Sequence, residues 1–63
     1  MSWVVTRENS YGGEMYWTGE TSDYGFPIKT MAPDLAKAFG NPRAAYEAAG
    51  DHRPLSSWRV KPL

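Results

Sequence analysis

Cysteine is absent from this 63-residue chain, so neither a disulfide nor a thiolate metal site can staple the fold. Histidine is nearly absent too: His52 stands alone between Asp51 and Arg53. With no second imidazole and no thiol, a metal set has too few donors, and a lone loop histidine reads as solvated surface. No apolar run approaches the roughly 20 residues that cross a bilayer. The opening Met1-Ser2-Trp3 lacks the basic and apolar regions of a signal peptide. A soluble cytoplasmic domain with no membrane contact is the expectation. Net charge is also lacking, since seven basic residues balance seven acidic ones. A neutral total argues against broad nucleic-acid affinity, which rests on neutralising phosphates. The two halves differ in sign, however. Residues 1–25 carry Arg7 against Glu8, Glu14, Glu20 and Asp23, a net of −3, and residues 26–63 carry +3.

What the chain does have is aromatic surface. Residues 1–63 make one small domain, and a chain this short hides only about 60% of its unfolded surface on folding. Three Trp, four Tyr and two Phe compensate, because each ring can remove on the order of 150–250 Å² from water. The clearest element is a helix over 41–50. Asn41 suits the N-cap, Pro42 the first helical position and Gly50 a left-handed stop. Ala45, Ala48 and Ala49 give it a small-residue face that can approach a sheet closely. A shorter helical turn is expected over 33–39, with Leu35, Ala38 and Phe39 on its apolar side.

The strand signals lie at the two ends. Residues 3–8, rich in β-branched and aromatic types, would point Trp3, Val5 and Arg7 one way and Val4, Thr6 and Glu8 the other. Turn formers at 9–13 suggest a hairpin, with the reversal at Asn9-Ser10 or at Gly12-Gly13. Residues 14–19 return with Met15 and Trp17 on one face, Tyr16 and Thr18 on the other. Residues 26–31 read as a short edge strand or an extended loop, because Pro27 cannot donate to a ladder. Residues 56–61 alternate apolar and basic over their last four positions, placing Trp58 and Val60 inward and Arg59 and Lys61 in water. The expectation is an α+β domain: a small antiparallel sheet of about three strands, in the order strand, strand, helix, strand, with one main helix on one face. The last strand should pair beside the first, and Trp3, Trp17, Phe39 and Trp58 should make most of the core. No repeat is visible.

The sequence offers no catalytic set whose spacing supports it. Ser56, His52 and Asp51 hold the right residue types for a triad, but their spacing gives no support, and Gly12-Gly13 lacks the GxxxxGK[ST] pattern of a phosphate loop. The expectation is no enzyme, no cofactor and no metal. Two surfaces remain as candidates for binding. The first gathers Tyr11, Tyr16, Glu20, Asp23, Tyr24 and Phe26, an aromatic and acidic area of the kind that anchors protein partners. The second gathers Arg43, Arg53, Arg59 and Lys61, which would suit phosphates or an acidic protein face.

The pattern Trp3-Val4-Val5-Thr6-Arg7-Glu8-Asn9, then Tyr16-Trp17-Thr18-Gly19, Asp34-Leu35-Ala36-Lys37-Ala38-Phe39, a capped helix with Ala45 and Ala49, and a final Trp58-Arg59-Val60 resembles a group of very small phage- and prophage-encoded β-β-α-β proteins. Most of that group has no assigned function. The resemblance spans nearly the whole chain and consists of packing signals. Met31 and Ala32 depart from the aromatic and Ser/Thr that the group places ahead of its Asp-Leu pair, and the basic final strand is unusual for it. The resemblance implies a phage-encoded protein that acts in the host cytoplasm on a host protein. Inhibitors of bacterial defence, anti-CRISPR proteins among them, have this size and origin, so a CRISPR effector subunit is one implied partner. The alternatives are a small nucleic-acid-binding module and a dimerising structural phage protein.

Overall fold

The computed structural model describes residues 1–52, 55 and 57–63. Four strands form one antiparallel sheet: β1 (Trp3–Glu8), β2 (Glu14–Thr21), β3 (Pro27–Thr30) and β4 (Arg59–Pro62), in the spatial order β3-β2-β1-β4. The α+β class is as the sequence suggests, and the segment around Pro27 supplies the additional strand. It lies at an edge, where a residue without an N–H costs least. The last strand pairs beside the first, with Val5 opposite Val60 and Val4 opposite Lys61. The chain therefore passes from one edge of the sheet to the other, and α1 (Pro42–Gly50) lies on that crossing, against β1 and β4.

The helix starts as its sequence dictates. Asn41 is extended, and its Oδ1 accepts from the Ala44 N–H at 2.8 Å, satisfying a first-turn donor. Its end differs from the expectation. Gly50 stays within the helix, and Asp51 caps it in right-handed geometry, its N–H reaching the Glu47 carbonyl at 3.2 Å. The His52 N–H bonds the Ala49 carbonyl at 3.1 Å, so ordinary turn hydrogen bonds satisfy these carbonyls and no left-handed residue is required. The turn expected over 33–39 shrinks to a 3-10 turn at Pro33–Leu35. Leu35, expected on its apolar side, is exposed.

Both hairpin loops use the same device. In loop 9–13, Asn9 N–H bonds the Gly13 carbonyl at 2.7 Å and Gly12 N–H bonds the Asn9 carbonyl at 3.1 Å. In loop 22–26, Ser22 N–H bonds the Phe26 carbonyl at 2.7 Å and Gly25 N–H bonds the Ser22 carbonyl at 2.9 Å. The first side chain of each loop closes it further, Asn9 Oδ1 accepting from Tyr11 and Gly13, and Ser22 Oγ from Phe26. Each loop reads Tyr-Gly at its third and fourth positions, with the glycine at positive φ, 84° at Gly12 and 83° at Gly25. This is a turn followed by a left-handed residue, a common hairpin connection. The sequence thus holds a short structural repeat that its low identity conceals.

Beyond Thr6 and Tyr16 the hairpin forks. The β1–β2 register covers only Thr6↔Tyr16, Arg7↔Met15 and Glu8↔Glu14. Segment 37–39 fills the opening: Lys37 N–H bonds the Trp17 carbonyl at 2.9 Å, and Phe39 exchanges two hydrogen bonds with Trp3, at 2.8 and 2.9 Å. Backbone groups that β1 and β2 no longer offer each other are satisfied by this wedge.

The core lies between sheet and helix. Val5, Trp17, Ala45 and Leu55 are buried together, with Trp3, Phe39, Ala48, Ala49, Trp58 and Val60 packed around them. Trp17 faces inward beside Val5 and Ala45 packs inward from the helix, as the periodicities require. The aromatics contribute less than expected, since only Trp17 among them is fully buried. Leu55 takes a central place that nothing in its local sequence marks. His52 also departs from the expected solvated state: it is half-buried, edge-on to Trp17 at 5.3 Å between ring centroids. On the opposite face Val4 and Thr6 are covered as well. Both sit on an inner strand, flanked in register by the long side chains of Lys61, Arg59 and Tyr16.

Candidate functional site

The aromatic and acidic residues picked from sequence do not form one patch. Tyr11 tips loop 9–13 and Tyr24 tips loop 22–26, with exposures of 96% and 88%. These loops close opposite ends of β2, and eight strand residues at about 3.3 Å each hold them some 25 Å apart. Tyr16 is half-buried between them, on the face turned from the helix. Glu20, Asp23, Tyr24 and Phe26 do share the end where β2 passes into β3. Trp17 ties that end to the core, since its Nε1–H donates to the Glu20 carbonyl at 2.9 Å.

The basic surface also divides. Arg43 lies on the first turn of α1, paired with Glu47 at 3.1 Å and fully in solvent, where such a pair contributes little. Arg59 and Lys61 lie on β4, on the face turned from the helix, and Arg53 lies outside the described residues. Lys61, expected in water, is ion-paired with Glu14 across the sheet. The Lys61 hydrogen bond and charge hold the Glu14 carboxyl below its ordinary pKa against the opposing effect of burial, with help from Tyr16 and Arg59. Around this pair lies a depression of about 280 Å³ that also takes in Thr6, Arg7, Glu8, Ser57 and Arg59. Its charges are of both signs, and Lys61–Glu14 is the ion pair among them. Ser57 lines this depression, whereas His52 packs against Trp17 on the helix side of the sheet. Ser56 lies outside the described residues. Among the described residues no group of three or more His, Asp or Glu converges as metal ligands would, and no helix is long and apolar enough to cross a membrane.

One region was not assembled from sequence as a unit. Along residues 24–31 the exposed large side chains are Tyr24 at 88%, Phe26 at 64%, Ile28 at 41% and Met31 at 66%. They flank and occupy β3, an edge strand with one side paired to β2 and the other unpaired. The signal was present in the sequence as Phe26-Pro27-Ile28, an apolar run around a proline. It became legible only once the strand was known to lie at the edge. A glycine at φ 89°, Gly19, and a register shift between Trp17 and Thr21 bend β2 just before this region. The Thr18 hydroxyl donates to the Ile28 carbonyl at 2.9 Å and so keeps β3 attached through the irregularity.

Fold and surface together define a class: a small α+β domain with one helix on a four-stranded antiparallel sheet, presenting an apolar edge strand. No protein-family model, no curated protein and no solved structure matches this chain.

Proposed function

We infer that this is a non-enzymatic binding protein that docks a protein partner along β3. The observation that carries the reading is the coincidence of an unpaired strand edge with four exposed large apolar side chains, Tyr24, Phe26, Ile28 and Met31. An open edge offers backbone donors and acceptors to an added strand, and neighbouring apolar side chains supply the area that such pairing needs. Left bare, the same edge is an aggregation hazard that soluble proteins otherwise blunt. Lys29 and Pro27 are such blunting residues, which suits an edge kept monomeric until its partner arrives. The resemblance to small phage β-β-α-β proteins directs the reading toward a host protein that the chain blocks or modulates, a CRISPR effector subunit being one such target.

The test is an affinity pull-down from a bacterial host lysate with wild type and Ile28→Asp, read by mass spectrometry. Ile28 is partly exposed on an edge strand, so the variant should fold. A protein recovered by wild type and lost with Ile28→Asp is the expected result. Equal recovery by both, or recovery of nucleic acid without protein, would overturn the reading.

A further inference from the structure

Beside β3, on the side of the sheet that bears the helix, lies a groove of about 420 Å³ lined by Arg7, Phe26, Pro27, Lys29 and Trp58. Its charged side chains are both cations, and no carboxylate is among the described residues that line it. The Arg7 guanidinium rests 6.0 Å from the centre of the Trp58 ring, a cation–π contact that holds it without neutralising it. Neither Arg7 nor Lys29 has an ion-pair partner among the described residues. Lys61 is answered by Glu14 and Arg43 by Glu47; Lys37 and Arg59 also lack an ion-pair partner among the described residues, but neither lines this groove. This groove is therefore where a protein of zero net charge keeps two cations beside an apolar wall.

The groove adjoins the free edge, and the pleat of β3 decides what an added strand would show it. Lys29 pairs with Trp17 and shares the helix side, while Ile28 faces the other way. A strand laid against β3 sends alternate side chains to these two sides. Those toward the groove meet Lys29 and, beyond it, Arg7; those toward the opposite face meet Ile28. Opposite charges and apolar pairs across adjacent strands both stabilise pairing. We propose that the partner's docking segment is an extended stretch alternating acidic and apolar residues, with carboxylates turned into the Arg7–Lys29 groove and apolar side chains laid on Ile28. This rests on the reading that β3 is the docking edge, and it adds the chemistry of what docks there.

The test uses defined probes with the full chain: acetyl-Glu-Val-Glu-Val-Glu-Val-amide, its Lys-Val counterpart, and a thymidine oligonucleotide. Each is titrated while NMR follows the amides of β3 and the indole N–H of Trp58. The acidic peptide should shift both sets of signals saturably and bind about fivefold tighter than the basic one, the scale of exposed cross-strand ion pairs. Lys29→Glu should reverse that preference, and added salt should erase it. Equal binding of the two peptides at β3, or no reversal in Lys29→Glu, overturns the acidic segment and leaves the docking edge standing. Tighter binding of the oligonucleotide at Arg7 and Trp58 also overturns it, in favour of a nucleic-acid ligand. If no peptide shifts β3 at millimolar concentration and Ile28→Asp leaves lysate capture intact, the docking edge itself falls.

Discussion

Two glycines with nearly the same backbone conformation separate the cost of a left-handed residue from the cost of a blocked space. Gly12 and Gly19 have φ of 84° and 89°. A methyl group on Gly12 would meet nothing within 4 Å, whereas on Gly19 it would lie 3.1 Å from Lys37 Cβ and 3.2 Å from its Cγ and Cδ. Placing alanine in left-handed geometry costs about 1–2 kcal/mol, and the stiffer unfolded chain returns about 0.4–1 kcal/mol. Gly12→Ala should therefore lose about 1 kcal/mol. Gly19→Ala must also push aside the stem of Lys37, whose N–H holds segment 37–39 to Trp17 in the fork of the hairpin. Taking the low end of overpacking costs for an exposed neighbour, about 1 kcal/mol, its total loss is about 2 kcal/mol. That is a large share of the roughly 3–9 kcal/mol expected for a domain this size. Urea unfolding followed by tryptophan fluorescence should show it. With a slope of about 1 kcal/mol/M, the midpoint falls by about 1 M for Gly12→Ala and about 2 M for Gly19→Ala. Hydrogen exchange at the Lys37 amide should quicken only in Gly19→Ala. Equal midpoint shifts, or a larger one for Gly12→Ala, would refute the idea that the wedge at 37–39 is packed against β2.

Leu55→Ala should destabilise by about 2–5 kcal/mol, the range for truncating a buried leucine, and leave a calorimetric transition well below that of wild type; an unchanged melting temperature would remove Leu55 from the core. Acid stability should depend on the Lys61–Glu14 pair. The fold lowers the Glu14 pKa, so the pair's contribution is present above the unfolded carboxyl range and is lost as pH falls through the lower folded value. Between about pH 5 and pH 3, wild type should therefore lose more of its advantage than Lys61→Met, and parallel urea midpoints across that window would contradict the pairing. Along β3, Ile28→Asp should abolish partner capture while leaving the melt cooperative, checked by pull-down alongside circular dichroism.

Much of the local structure was written in short-range chemistry. Asn41 and Pro42 start the helix because capping needs only the first turn. The alternation of Trp3, Val5 and Trp17 against Val4, Thr6 and Tyr16 sorts two faces because side chains on a strand alternate with period two. The helix end differs from the expectation at Gly50, since a glycine permits left-handed closure without compelling it. The likeness of the two Tyr-Gly loops lies in hydrogen bonding and not in sequence, since Asn9 closes one and Ser22 the other.

The candidate site was less legible. Residue type alone marks Tyr24 and Phe26 but places Tyr11 with them, and the length of β2 carries Tyr11 to the far end of the sheet. Sequence groups Arg43, Arg53, Arg59 and Lys61 as a basic surface, yet Lys61 is paired with Glu14. The two cations that share a groove, without ion-pair partners among the described residues, are Arg7 and Lys29, 22 positions apart in the chain. Which charges meet depends on strand order and register, and neither leaves a mark within any one segment.

The sequence by itself determined the α+β class, the capped helix, its alanine face and the inward turn of Trp17, because each follows from periodicity or a local hydrogen bond. Tertiary structure alone decided that β3 is an edge, that 37–39 wedges the hairpin open, that Leu55 and His52 close on Trp17, and that Arg7 and Lys29 share a groove. Those outcomes depend on contacts between residues distant in the chain, where burial and pairing are set by the whole arrangement and not by any residue's own preference.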